Sequence, residues 1–212
     1  MLEPQTYLQM MTTLFITVDP IAAAPLFVTL TANDTPEMRA SVANRASLTM
    51  TLLLLGTLAA GGFVLGLFSI RVASFRVVGG ILFLLMALDM LRARPHSARI
   101  TREEETEATA REDVAVVPLG IPMLAGPGAI STVILFANHP FDWRHVLILT
   151  TMIVLVGVMT WGLLRLAAPI GRILGKTGIN VVNRLMGILI GAIGIEYLSR
   201  GLSELLPALG GK

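Results

Sequence analysis

Cysteine is absent from the 212 residues, which excludes a disulfide framework and any thiolate metal site. Charge is nearly as scarce: Asp, Glu, Lys and Arg make up 14% of the chain, where a soluble domain keeps about a quarter. The net charge of +2 and pI near 9.5 come from cations scattered along loops, with no basic helix or aromatic-interleaved patch, so no nucleic-acid partner is expected. His96, His139 and His145 lack metal-ligand spacing, and neither a metal nor another cofactor is expected. The N-terminal "MLEPQTY" has no basic region of the kind that precedes a cleavable signal, so the first hydrophobic segment is expected to be retained.

What remains is apolar. The chain is 54% hydrophobic with a mean hydropathy of +0.77, and stretches 46–70, 114–138 and 146–164 contain no ionisable side chain. Each is near the roughly 20 residues a helix needs to cross a bilayer, and too little polar sequence is left to clothe a soluble protein. Six apolar segments are expected as spans: 5–31, 46–68, 72–92, 114–137, 145–166 and 180–200. The chain thus reads as an all-α membrane protein of six transmembrane helices.

Between the third and fourth segments lies "RARPHSARITREEETEATARED", the one extended polar stretch, read as a solvated linker over 93–113. It separates two similar parts, 1–92 and 114–212. "DPIAAAP" at 19–25 corresponds to "GPGAIST" at 126–132, and "FRVVGGIL" at 75–82 to "NRLMGILI" at 183–190, at nearly one common offset. Each part has three spans, an odd number, so the second must insert in the opposite sense: two inverted-topology three-helix repeats. Lys and Arg concentrate on the side holding the linker, which the positive-inside rule assigns to the cytoplasm, leaving both termini outside.

The first and fourth spans carry helix breakers near their middles. Proline offers no N–H and clashes with the carbonyl four residues earlier, so Pro20 strands the carbonyl of Ile16 and Pro25 that of Ile21. Asp19-Pro20 is also a helix-start signature, and Gly126-Pro127 repeats it in the second part. Two half-helices therefore restart near the bilayer midplane, where inverted-repeat carriers bind their solutes. A helix N-terminus carries about half a positive charge and unbonded N–H groups. Asp19 makes one end anionic. Gly126 and Gly128 leave the other open, with the N–H groups of Gly128 and Ala129 and the hydroxyls of Ser131 and Thr132 at hand. The pair suits a small zwitterion, ammonium at Asp19 and carboxylate at Gly128–Ala129. The competing reading is that Asp19 only caps its own half-helix and that the Pro-Gly pair only kinks its span.

Arg76 begins the third span and Asp89 ends it; Arg184 begins the sixth and Glu196 ends it. Inverted symmetry levels Arg76 with Glu196 and Arg184 with Asp89, two cross-repeat salt bridges that would gate or clamp; the alternative is side chains snorkelling to the interface. Gly62 with Gly66, and Gly187 with Gly191, have the spacing of close helix contacts.

The stretches "DPIAAAPLF", "FRVVGGILFLLMALDML" and "AVVPLGIPMLAGPGAISTVI", with Asn138 following, resemble the MarC family of six-span bacterial inner-membrane proteins, over roughly residues 6–202. The resemblance implies kinship with LysE-type amino-acid exporters and with small neutral amino-acid transporters, and nominates Asp19, Pro20, Pro25, Gly126, Pro127 and Gly128. Two departures stand out: Ile21-Ala22-Ala23-Ala24 where relatives often carry glycine, and Arg71 where they often carry a small polar residue. The expected function is a secondary transporter of alanine- or glycine-like solutes. A channel and a non-transport assembly factor are the alternatives; the spans hold no catalytic constellation, so an enzyme is not expected. Partners are a small-molecule solute and the lipid bilayer, with homo-oligomerisation left open.

Overall fold

The computed structural model describes residues 3–32, 34–92, 119–120, 123–138 and 142–206, and the side chains of 171–174 and 176 are not described. The linker at 93–113, His96 and His139 lie outside these residues. Among the described residues seven helices run in order: α1 (Pro4–Val18), α2 (Pro20–Leu30), α3 (Pro36–Leu67), α4 (Val72–Leu91), α5 (Pro127–Ala137), α6 (Trp143–Arg165) and α7 (Ala167–Leu205). Within the same described residues five stretches are long and apolar enough to cross a membrane: Pro4–Leu30, Pro36–Leu67, Val72–Leu91, Trp143–Arg165 and Thr177–Leu205, with Pro127–Ala137 a shorter apolar helix.

Both helix restarts fall at the expected residues. α1 ends and α2 begins at Asp19, whose backbone is left-handed (φ 53°, ψ 55°), a conformation Asp tolerates better than most residues. The Ala22 N–H donates to its Oδ1 at 3.3 Å. Gly126 caps α5 in an extended conformation, with Pro127 first in the helix. Ahead of it, 119–120 and 123–124 are in wide π turns, and the Ala125 N–H reaches back to the Gly120 carbonyl at 3.1 Å. α3 is longer than its apolar run because Pro36 at its first turn and the Thr35 cap, which accepts from the Met38 N–H, start it before the polar residues 37–45. α7 likewise runs well beyond 180–200 at both ends.

The core gathers on the broken elements. Val18 and Ala23, on either side of Asp19, share one buried cluster with Ala125 and Ala129, on either side of Gly126, and with Phe27, Met50, Leu54 and Val156. A second cluster joins Ile16 and Ala22 to Phe83, Ala87, Met90 and Ile190. The pairs in closest contact are α4 with α7 and α3 with α6, while α5 lies against α1, α3 and α4. α4 and α7 run antiparallel with backbones touching: a methyl group on Gly80 would sit 2.7 Å from the Gly194 carbonyl oxygen, and one on Gly187 2.9 Å from Met90 Cβ. Gly187 and Gly191 are thus contact residues as their spacing implied. Gly62 and Gly66 are not, for nothing lies within 4 Å of where their side chains would begin.

The outward faces of α3, α4, α6 and α7 present Phe63, Val78, Leu85, Leu147, Val158, Leu185 and Ile188 as exposed side chains. An apolar belt of this extent is stable only against lipid. Trp143 with Arg144 over its ring, and Trp161 with Arg165 over its ring, mark the two ends of α6. They stand about 27 Å apart at 1.5 Å per residue, close to the hydrocarbon thickness that interfacial aromatics bracket.

One non-helical residue interrupts α7: Gly175 at φ 60°, ψ −179°. This region is accessible essentially to glycine alone, and side chains at such positions cost about 1–3 kcal/mol. Because nothing lies within 4 Å of its would-be Cβ, Gly175→Ala is expected to lower stability by that backbone cost only, read as a reduced unfolding temperature in detergent.

Candidate functional site

Two cavities flank the breaks, both towards the end where α4 runs into the linker. The antiparallel contact of Gly187 with Met90 and Ala87 sets the first half of α7 beside the last turns of α4, which fixes that shared end.

The smaller cavity, about 250 Å³, sits at the N-terminus of α5. It is lined by Gly126, Pro127 and Gly128, by Thr17 of α1, and by Met86 and Asp89 of α4. Pro127 has no N–H, and the first intrahelical bond there is Ile130 N–H to the Gly126 carbonyl at 3.1 Å. The N–H groups of Gly128 and Ala129 therefore precede the helix ladder and point along its axis. Gly128 packs so closely on α4 that a Cβ would lie 2.8 Å from the Phe83 ring and 3.1 Å from Met86 Sδ. Asp89, half-buried, brings a carboxylate to the same cavity. The Thr17 hydroxyl donates to the Leu14 carbonyl at 3.1 Å and retains acceptor lone pairs.

The nominated residues divide. Gly126, Pro127 and Gly128 meet at this cavity. Asp19 is 4% exposed, caps α2, and lines neither cavity. Pro20 is buried beside it, and Pro25 lines the other, larger cavity. Ala129 is fully buried in the core. Ser131 faces Gly79 of α4, and the Thr132 hydroxyl donates to the Gly128 carbonyl at 3.0 Å while meeting Tyr197 of α7. The two hydroxyls thus knit α5 to its neighbours, and the polar cavity groups come from Thr17 and Asp89 instead.

The cross-repeat ion pairs are placed differently from expectation. Arg76 pairs across α4–α7 with Glu204, not Glu196, which bonds Arg200 one turn along its own helix at 2.6 Å. No ion pair joins Arg184 to Asp89 among the described residues; Arg184 is exposed. Glu204 lies about two turns beyond the level assigned to Glu196, because the glycine contacts, not the span ends, set the sliding register of the two helices.

At the opposite end of the bundle, His145 is buried at the start of α6. One ring nitrogen, Nε2, lies 2.9 Å from the Phe136 carbonyl, which can only accept, so Nε2 carries the proton. In the neutral ring Nδ1 then accepts from the Tyr7 hydroxyl at 3.1 Å. This contact was not legible from the sequence, where the histidine stands alone beside a loop.

Residues 4–206 match the family described as MarC family integral membrane protein. The chain belongs to the MarC family. It is 35% identical over 196 residues to the UPF0056 membrane protein YhcE of Escherichia coli strain K12, covering 92% of this chain and 91% of that protein. It is 32% identical over 202 residues to a UPF0056 membrane protein of Archaeoglobus fulgidus, covering 93% and 92%. The relative YvbG of Bacillus subtilis strain 168 is 32% identical over 197 residues, covering 92% and 93%. No solved structure matches the chain. This MarC protein is an integral, multi-pass membrane protein, and its family spans bacteria and archaea.

Proposed function

We propose that this MarC protein is a secondary carrier of small neutral amino acids of the alanine or glycine type, and not an enzyme. One observation carries the reading: a small half-open cavity sets a carboxylate, Asp89, against the open N-terminus of α5. A zwitterion needs both charges met where water is scarce. The α5 N–H groups at Gly128 suit its carboxylate, and Asp89 suits its ammonium. Phe83 and Met86 already lie against Gly128, which favours a small solute close to the α5 N-terminus. Asp19 holds α2 in register behind this site.

The carrier reading is supported by the way equivalent spans meet. α4 lies on α7 and α3 on α6, as two oppositely inserted three-helix parts related by an axis in the membrane plane would be arranged. Under that arrangement the two parts rock about the paired breaks, the linker faces the cytoplasm, and both termini are periplasmic in the inner membrane. Both cavities then lie on the inner side.

Proteoliposomes loaded with unlabelled alanine test it. The expected result is saturable counterflow of labelled alanine that glycine competes. Non-saturating ion current would instead establish a pore, and no flux of either kind would remove transport altogether.

A further inference from the structure

The larger cavity is unlike the first. It is a half-open pocket of about 590 Å³ between α2, α3, α6 and α7, within the roughly 300–1,000 Å³ of small-molecule pockets. Its walls are Ile21, Val28, Leu163, Ile170, Ile179 and other apolar residues, and no acidic side chain lines it among the described residues. The Thr29 hydroxyl in the wall donates to the Pro25 carbonyl at 3.0 Å and leaves no free donor there. Among the described residues the one charged group in its wall is Arg39, in the first turn of α3. One terminal N–H₂ of its guanidinium donates to the Thr31 carbonyl at 2.8 Å. Its Nε is buried without a hydrogen-bond partner, and no ion pair joins Arg39 to an acid among the described residues.

Arg39 as a whole is half-buried, and a buried guanidinium N–H left without a partner is costly unless an acceptor such as an anion meets it. A water-filled chamber would need polar partners that these walls lack. An amino-acid zwitterion fits poorly, since nothing here meets its ammonium. The chamber asks for an anionic head at Arg39 and a hydrocarbon body along α2 and α7. Arg39 stands in the opening turn of a membrane-spanning helix, at the depth of lipid phosphates, and basic pockets between helices at this depth hold anionic headgroups. We propose that this chamber is a binding site for an anionic phospholipid, its phosphate on the Arg39 fork and an acyl chain in the cavity. The inference stands apart from the carrier reading, since it uses neither Asp89 nor the α5 N-terminus.

The test is binding of phosphatidylglycerol to the purified full chain, followed by native mass spectrometry and by unfolding temperature in nanodiscs. Phosphatidylglycerol should be retained and raise the unfolding temperature relative to phosphatidylcholine alone. Arg39→Gln should weaken retention about tenfold or more, the loss expected for a charge-assisted hydrogen bond. Ala168→Phe, which sets a ring in the chamber where the acyl chain would lie and leaves the charge, should do the same. Retention in both variants equal to that of the unaltered chain overturns the proposal. So does equal retention of phosphatidylcholine, which would dismiss the role of Arg39, or equal stabilisation by inorganic phosphate, which would dismiss the acyl chain.

Discussion

Gly80→Ala is expected to lower the stability of the folded protein by about 3 kcal/mol, at the upper end of what overpacking costs. The added methyl would meet backbone on both sides, the Gly194 carbonyl oxygen at 2.7 Å and the Leu198 nitrogen at 2.8 Å. A clashing side chain can turn away, whereas two helix backbones can only move apart. Separating α4 from α7 would also loosen Gly187 and Gly201, which touch α4 backbone at Ala87 and Ala73. Gly62→Ala is the control, placed on a helix face with nothing within 4 Å, and should be neutral or slightly stabilising. Unfolding temperatures of the two variants in the same detergent check both statements.

Asp89→Asn is expected to reduce alanine counterflow about tenfold to a hundredfold. Asp89 is half-buried, and the amide oxygen would still accept from the substrate ammonium but without the charge, a loss of about 1.5–3 kcal/mol. Asp19→Asn should cost less than about tenfold, because an asparagine oxygen still accepts the Ala22 N–H and remains a good cap. Folded yield, compared by size-exclusion chromatography, separates lost transport from lost protein. The opposite ranking, with Asp19→Asn silent in flux and Asp89→Asn active, would return the ammonium to Asp19 and leave the small cavity without its assigned role.

The breaks were legible in the sequence because local chemistry alone decides them. A proline cannot continue the ladder behind it, Asp and Gly end helices in a few fixed ways, and so the restarts at Pro20 and Pro127 follow from adjacent residues. The membrane class and the family were legible for a similar reason, since run length and motif are linear properties. What the sequence could not supply was rotation and register between helices. Asp89 was read as the end of a span, yet it faces α5, a residue pair separated by the whole linker. Glu196 and Glu204 lie on one helix, and only the glycine-set offset of α7 against α4 decides which one Arg76 meets. Arg39 looked like one more loop cation because the apolar run of its helix starts later, while Thr35 and Pro36 had already begun the helix.

The hydrogen bonds of His145 bear on how such a molecule could change shape. Tyr7 on α1, the Phe136 carbonyl near the end of α5, and the first turn of α6 share a single imidazole. Those three helix ends come from both parts of the chain, so the imidazole works as a latch across the seam between them. Any rearrangement that opened a path on that side would have to release the latch first or swing all three ends together about a pivot elsewhere.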